Sequence, residues 1–514
     1  MKINYKSGAV YGLMLGLTVS FSCSDNLELD AENPTSPAIM SAANLNDGSA
    51  SQLIKLKYNS YIVISTGTLP ADLKQQIKSL NGEVTATMDE VGIATVTSTD
   101  PNFAAKAGKI KGVSSVIRDL EVQWYDPTTH KVIEADEDTY GNPPFSGDDD
   151  QRFDLQWGHD AIDAPEAWNA GARGKGVRIA VLDSGFDLDH PDLAPNIDMA
   201  ASKNFVTGEV LQYALPDVGS HGTHTAGTIA AADNGIGIIG VAPEAQLILV
   251  KVLRDSGSGS FGWMMQGILH ATAQGADVIN MSLGAAVPRN GKFLDDNGTP
   301  DDPSDDFIVS DTKAVQELIT AINKVTSYAK QQGVTLIASA GNDANNGQRD
   351  KSLVHIPSSS PSVISISATA PIGWILDPFN TNLDNLASYS NYGTSDVDFA
   401  APGGDYLLAF EDRGFEIISI AGIRQYAYAF DYVYSAGNGT NPAGNYYWSV
   451  GTSMAGPHAA GVAALIVGQN GGDMDPAKVE AVMRASADDL GKPGRDPLYG
   501  HGRVNAYKAV TAVQ

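Results

Sequence analysis

The chain has 514 residues, 43% of them hydrophobic, and a formal net charge of −27. That length suggests more than one domain, and the apolar content is enough for a sizeable core. The acidity excludes the basic stripe of a nucleic-acid binder and favours solubility and attraction for cations such as calcium. The one cysteine, Cys23, excludes an intramolecular disulfide framework and a cysteine-rich metal site.

The chain opens as an export signal in plan. Lys2 and Lys6 precede an apolar run from Gly8 to Val19, and Ser20-Phe21-Ser22-Cys23 follows. A basic start, a short apolar segment and a small residue before the cut make a signal peptide over residues 1–22, and the run is too short for a membrane span. A Cys directly after a small residue resembles the lipobox of bacterial lipoproteins, although Ser20 stands where an aliphatic residue is usual. The resemblance implies lipidation of Cys23 and a cell-envelope protein anchored to a membrane outside the cytoplasm; ordinary secretion is the alternative.

Residues 23–50, rich in Ser, Asn, Asp and Pro, read as a flexible tether. A small α+β unit follows over 51–125. Tyr61–Ile64 reads as a strand, Ala71–Leu80 as a helix ended by the turn Asn81-Gly82, and Val91–Thr97 as a second strand. Phe103–Ile110 reads as a short helix and Val113–Ile117 as a third strand. Residues 126–149 are polar again and form a linker. From 150 to 514, short β-branched runs (Val177–Leu182, Leu247–Leu253, Val278–Met281, Val334–Ser339, Val363–Ala368) alternate with helical stretches. That alternation predicts an α/β fold with a mostly parallel sheet covered by helices on both faces.

Three segments carry chemistry. Ile179–Leu182 is an apolar strand that ends in Asp183-Ser184-Gly185. In open parallel sheets functional groups gather at the carboxyl ends of strands, so Asp183 either faces a catalytic partner or caps the next turn. His221-Gly222-Thr223-His224 places two histidines at i and i+3 on one helix face. A metal is one reading, but the Glu of a His-Glu-x-x-His zinc helix is missing. Small residues around His221 leave room for a substrate. Gly451-Thr452-Ser453-Met454-Ala455-Gly456 opens a long small-and-apolar run, so Ser453 sits at a helix N-terminus, where developing negative charge is favoured. Taken alone it is an N-cap or a nucleophile. The spacing Gly-x-Ser-x-x-Gly lacks the Gly-x-Ser-x-Gly elbow of α/β-hydrolases.

Together with Ser282-Leu283-Gly284, Gly341-Asn342 and the ending Tyr499-Gly500-His501-Gly502-Arg503-Val504-Asn505, these segments resemble the subtilase family over about 150–510. The resemblance implies a subtilisin-like serine endopeptidase. Ser453 is then the nucleophile, His221 the general base and Asp183 the residue that orients it. Asn342 and the Ser453 backbone N–H become the oxyanion hole, while His224 and His458 are structural. Ser282, Leu283, Gly284 and Gly257, Ser258, Gly259 would pair with an extended protein or peptide substrate. Asp192, Asn234 and the backbone at Ile236 and Ile238 match a family calcium loop, and Asp150 stands at a spacing seen in calcium-binding relatives. A structural calcium is the implied cofactor, with no catalytic one.

Residues 51–125 look like the family's inhibitor-type propeptide, which implies a ferredoxin-like unit that the enzyme cuts off itself. Its tail, Leu120–Tyr125, is expected to pair with Ser282–Gly284. Two added stretches, 285–312 and 404–447, are expected beside the cleft. The alternatives to an active peptidase are an inactive, surface-anchored binding protein and an esterase or transpeptidase using the same acyl-enzyme.

Overall fold

A computed structural model describes residues 54–125, 150–215, 219–299, 302–420 and 422–512. The signal peptide 1–22, Cys23, the tether 23–50 and the linker 126–149 lie outside the described residues.

The N-terminal unit runs β1 (Ile54–Ser65), α1 (Leu73–Ser79), β2 (Gly82–Met88), β3 (Ile93–Ser98), α2 (Phe103–Ala107) and β4 (Val113–Gln123). Its sheet has the order β4-β1-β3-β2, all antiparallel. This β-α-β-β-α-β arrangement is ferredoxin-like. The two helices cover one face, closing a small core of Tyr61, Val63, Leu73, Ile77, Val96 and Phe103.

The larger unit starts with α3 (Trp157–Ala161) and α4 (Ala164–Asn169), followed by β5 (Arg178–Asp183), β6 (Lys203–Asn204), α5 (His221–Ala230), β7 (Gln246–Lys251), β8 (Ser258–Ser260), α6 (Phe261–Ala273) and β9 (Val278–Met281). A hairpin region then contributes β10 (Ala285–Pro288), β11 (Lys292–Asp295) and β12 (Phe307–Ser310). After it come α7 (Thr312–Gln331), β13 (Thr335–Ser339), β14 (Leu353–Ile356), β15 (Val363–Ala370), β16 (Asn385–Leu386), β17 (Phe399–Pro402) and α8 (Thr452–Gln469).

Seven strands lie parallel in the order β6-β7-β5-β9-β13-β15-β17, with β16 antiparallel on β15. The alternation of side chains along a strand divides the core into two layers. Ile179 and Val181 of β5 point to the α5 and α8 side, and Ala180 and Leu182 to the α6 and α7 side. With both faces covered, the strands read as continuous apolar runs. The layering puts the carboxyl ends of β5, β9 and β13, and the N-termini of α5 and α8, along one edge of the sheet.

Candidate active site

Asp183 is the last residue of β5 and is fully buried. Its Oδ1 accepts a hydrogen bond from the Ser184 backbone N–H at 2.7 Å, and its Oδ2 accepts one from the Thr225 hydroxyl at 3.2 Å. His221 opens α5, whose N-cap Ser220 accepts from the Thr223 N–H, a cap worth about 1 kcal/mol. Its Nδ1 lies 2.8 Å and 3.0 Å from the two Asp183 oxygens. The carboxylate accepts the Nδ1 proton, so the imidazole is held with Nε2 turned the other way. Thr225 reaches Asp183 because it follows His221 by four residues on the same helix face.

Ser453 occupies the second position of α8, after Gly451 and Thr452. Its Oγ donates to the Ser282 carbonyl at 3.2 Å, and the Ser282 hydroxyl donates back to the Ser453 carbonyl at 2.7 Å. Asn342 follows the end of β13. Its Oδ1 accepts from the Thr452 N–H at 2.9 Å and the Thr452 hydroxyl at 2.7 Å, which fixes the amide with its NH2 turned outward. A Cβ built on Gly451 would lie 3.4 Å from Asn342 Nδ2 and 3.5 Å from the Ser453 backbone nitrogen. Two donors therefore converge on one small volume beside Ser453, and the missing side chain at Gly451 leaves it open. A helix N-terminus adds its dipole at that point.

A cavity of about 540 Å³ leads away from Ser453, lined by Leu283, Gly284, Ala340, Asn342, His355 and Trp124 among others. Leu283 is buried at its wall, and Ser282 is buried beside Ser453. Asp183 and His221 meet directly, Ser453, Asn342, Leu283 and Gly284 border this cavity, and Gly257–Gly259 lie along the Leu120–Tyr125 tail whose last ring stacks on His221.

The sequence profile of the subtilase family (Peptidase_S8) matches residues 174–502. The chain belongs to the subtilase family. It is 35% identical over 310 residues to "Intracellular serine protease" of Paenibacillus polymyxa, covering 60% of this chain and 72% of the relative. It is 34% identical over 355 residues to Subtilisin NAT of Bacillus subtilis subsp. natto, covering 69% and 71%. Among solved structures, the Epidermin Leader Peptide Processing Serine Protease of Staphylococcus aureus superimposes with a TM-score of 0.64 at 21% identity, covering 88% of this chain and 98% of that one. The protein is a subtilisin-like serine endopeptidase.

In this subtilase the N-terminal unit reaches into the cleft. The end of β4 pairs antiparallel with β8, Glu121 opposite Ser260, Val122 opposite Gly259 and Gln123 opposite Ser258. The Trp124 N–H then donates to the Gly257 carbonyl at 2.9 Å. The tail thus pairs with 258–260, where the sequence led us to expect Ser282–Gly284. The Ser282 side chain and carbonyl are instead engaged with Ser453. Trp124 packs edge-on against Phe261, and the Tyr125 ring stacks on the His221 imidazole with centroids 4.4 Å apart. Tyr125 is the site neighbour that sequence reading missed as a contact; its position at the end of the extended tail was the available signal. Thr225 and Thr452 were missed as well, since each holds a residue distant in sequence, Asp183 and Asn342.

The two added stretches differ in placement. Residues Ala285, Ala286, Pro288, Asn290 and Lys292 line the cavity. None of the described residues of 404–447 lines it. Their C-terminal part packs on α5 instead: His224 Nε2 meets the Val433 carbonyl at 3.1 Å, and Asn438 Oδ1 accepts from the Ser220 N–H at 2.5 Å. The stretch thus meets the site at the N-terminus of α5, beside His221, where the Tyr447 hydroxyl also donates to the Ser220 carbonyl at 2.9 Å. His458 is buried within α8, its Nδ1 2.8 Å from the Met454 carbonyl.

Asp150, Asp192, Asn234 and the loop through Ile236 and Ile238 lie together. Asn234 N–H donates to Asp150 Oδ1 at 3.3 Å, its side-chain NH2 donates to Asp192 Oδ1 at 3.4 Å, and Ile238 N–H donates to Asp192 Oδ2 at 3.0 Å. Both carboxylates are buried. Burial pushes the Asp192 carboxyl up to about 6, a sign that the negative charge there is incompletely compensated. A Cβ on Gly237 would collide with the Asp192 carboxylate and the Tyr446 hydroxyl, so the loop curls closely around Asp192. Two carboxylates, a side-chain amide and a bare backbone turn are a donor set that fits calcium. Among the described residues no group of three or more His, Cys, Asp or Glu side chains is placed to hold a metal ion, so backbone oxygens would have to complete the coordination.

Proposed function

We propose that the chain hydrolyses peptide bonds of extended protein segments through Asp183, His221 and Ser453. The Asp183–His221 contact, with two oxygens within 3.0 Å of Nδ1, carries the reading. Ser453 Oγ turns from the Ser282 carbonyl to His221 Nε2, gives up its proton there and attacks the scissile carbonyl. The buried Asp183 stabilises the imidazolium that forms, and His221 then protonates the leaving amine. Asn342 Nδ2 and the Ser453 N–H take the oxyanion, since they already converge beside Gly451. Water completes the reaction by releasing the acyl group. The substrate backbone adds a strand at Gly257-Ser258-Gly259, as β4 does, with Ser282, Leu283 and Gly284 as the opposite wall.

The N-terminal unit, 51–125, is the chain's own inhibitor, removed by a cut within or near 126–149. Its support is the strand pairing along β8 and the Tyr125 ring on His221. Residues 1–22 direct export, and lipidated Cys23 anchors the precursor at the cell envelope. Among the described residues no helix is long and apolar enough to cross a membrane. When bound by Asp150, Asp192, Asn234 and the 236–238 loop, calcium would supply charge compensation that braces the loop, with no part in the chemistry.

A fluorophosphonate probe tests the reading. It should label Ser453 in the processed enzyme, and labelling should abolish peptide hydrolysis. Hydrolysis that persists in fully labelled protein would overturn the mechanism.

A further inference from the structure

The added hairpin β11–β12 touches the N-terminal unit far more than it touches the catalytic residues. The N-terminal half of β1 pairs with β4 on one side and with β11 on the other, Lys55 opposite Leu294 in parallel register. The four-stranded sheet of the N-terminal unit is thereby continued into the peptidase by two more strands. Phe293 is 1% exposed and shares a core cluster with Leu56 and Leu120. A cavity of about 260 Å³ between Leu56, Leu120, Phe293, Val309 and Leu318 marks the seam.

Three polar contacts across the seam are specific to one partner. Asp295 is buried and its two oxygens face the Arg118 guanidinium as a fork, Arg118 Nη1 on Oδ2 and Nη2 3.4 Å from Oδ1. Asp296 lies 3.7 Å from the Lys55 ammonium. Gly298, at φ +79°, lies under the face of Tyr58: any Cβ there would be 2.7 to 2.8 Å from three ring carbons. From α7, Lys324 Nζ donates to the Ser65 carbonyl at 2.9 Å. A carboxylate taken out of water needs its partner; removing one member of such a pair leaves the other uncompensated. The hairpin therefore has a binding requirement that only a basic residue at the position of Arg118 meets.

We infer that the hairpin Lys292–Ser310 is a docking surface selective for the chain's own N-terminal unit, which it retains through the Asp295–Arg118 pair after the connecting chain has been cut. The inference rests on the reading of 51–125 as a removable inhibitor. It gives the added stretch, whose first residues line the cavity, a second role at its hairpin: β8 and Tyr125 block the cleft, and the hairpin sets how long the block lasts.

The test uses the full-length chain and three variants, Asp295→Arg, Arg118→Asp and the double exchange. After processing, the fraction of N-terminal unit that still co-elutes with the enzyme on size exclusion is followed over time, together with hydrolysis of a short peptide. Each single reversal should release the unit at least about tenfold faster and bring activity forward, and the double exchange should restore most of the retention. Final activity after complete release should equal that of the unsubstituted chain, since Asp295 touches no catalytic residue. The same substitutions in an uncut Ser453→Ala background separate this inference from self-processing: hydrogen exchange at the β4–β8 pairing should rise in the single variants and fall back in the double. Equal release rates and equal exchange in all four proteins would overturn the inference even if self-processing holds.

Discussion

The Tyr125 ring lies flat on the His221 imidazole, 4.4 Å between centroids and 19° between planes. Two rings stacked in this way, the imidazole buried and the phenol half-buried, exclude a substrate from the side of the imidazole and hold it against Asp183. Such a pair contributes about 0.5–1.5 kcal/mol beyond its area burial. Tyr125→Gly should therefore release the N-terminal unit several-fold faster, with processing itself intact. Stopped assays of peptide hydrolysis during maturation would read this as a shortened lag. An unchanged lag would mean that the strand pairing on β8 alone sets the block.

Ser453→Ala should abolish peptide hydrolysis and accumulate full-length precursor without loss of fold, because Ala suits the first turn of α8. Asn342→Ala should lower kcat by roughly 10²–10³, the loss seen when the corresponding donor is removed from a subtilisin. The Asn342 effect should fall on kcat with KM little changed, as expected for a contact made in the transition state. A drop in affinity alone would place Asn342 in ground-state binding instead.

The candidate segments were legible because each pairs one chemical residue with a stereotyped small-residue frame. Asp183-Ser184-Gly185, His221-Gly222-Thr223 and Gly451-Thr452-Ser453 can be read locally, and their convergence follows from the parallel sheet. The strands at 178–183, 246–251, 278–281, 335–339 and 363–370 were visible as apolar runs because they are buried on both faces. Strand β2 escaped notice because it lies at the sheet edge, and Glu83, Thr85 and Thr87 face solvent along it. Strand β6, of two residues, is too short to carry a pattern. The hairpin's docking on β1 was not legible at all. It depends on Arg118 meeting Asp295 across 177 positions, and no local pattern encodes such a pair.

Calcium should raise the thermal midpoint. Ligand present at 100 times its dissociation constant stabilises by about 2.7 kcal/mol if it binds only the folded chain. Asp192→Asn should remove most of that gain while leaving peptide hydrolysis at low temperature intact, because the loop stands apart from the triad. Melting curves with calcium and with chelator, for both proteins, decide the point; identical curves for the unsubstituted chain would sink the assignment.

The buried pair His159 and His458 predicts an acid-sensitive core. Their rings meet edge to face, 5.3 Å apart, and both are almost wholly enclosed. Burial pushes the His458 imidazole down to about 4, and burial together with the neighbouring His458 pushes His159 well below its usual range. A free histidine titrates near ~6.5, so below that pH the unfolded chain takes up protons that the folded chain refuses. The stability contributed by keeping these rings neutral is thus complete above pH ~6.5 and is lost as the pH falls toward about 4. Several carboxyls act in the opposite sense, since desolvation raises Asp154, Asp160, Asp192 and Asp431 to about 6 and they gain stability on protonation. The total pH profile therefore mixes both signs, and a comparison isolates the histidine. His159→Leu removes one titrating ring and leaves the carboxyls in place. The stability difference between the unsubstituted Ser453→Ala precursor and the same protein carrying His159→Leu should shift by about 2 kcal/mol in favour of the Leu variant between pH 7 and pH 5. Urea unfolding at the two pH values measures it. A difference independent of pH would show that His159 takes up its proton in the folded state as readily as in the unfolded one.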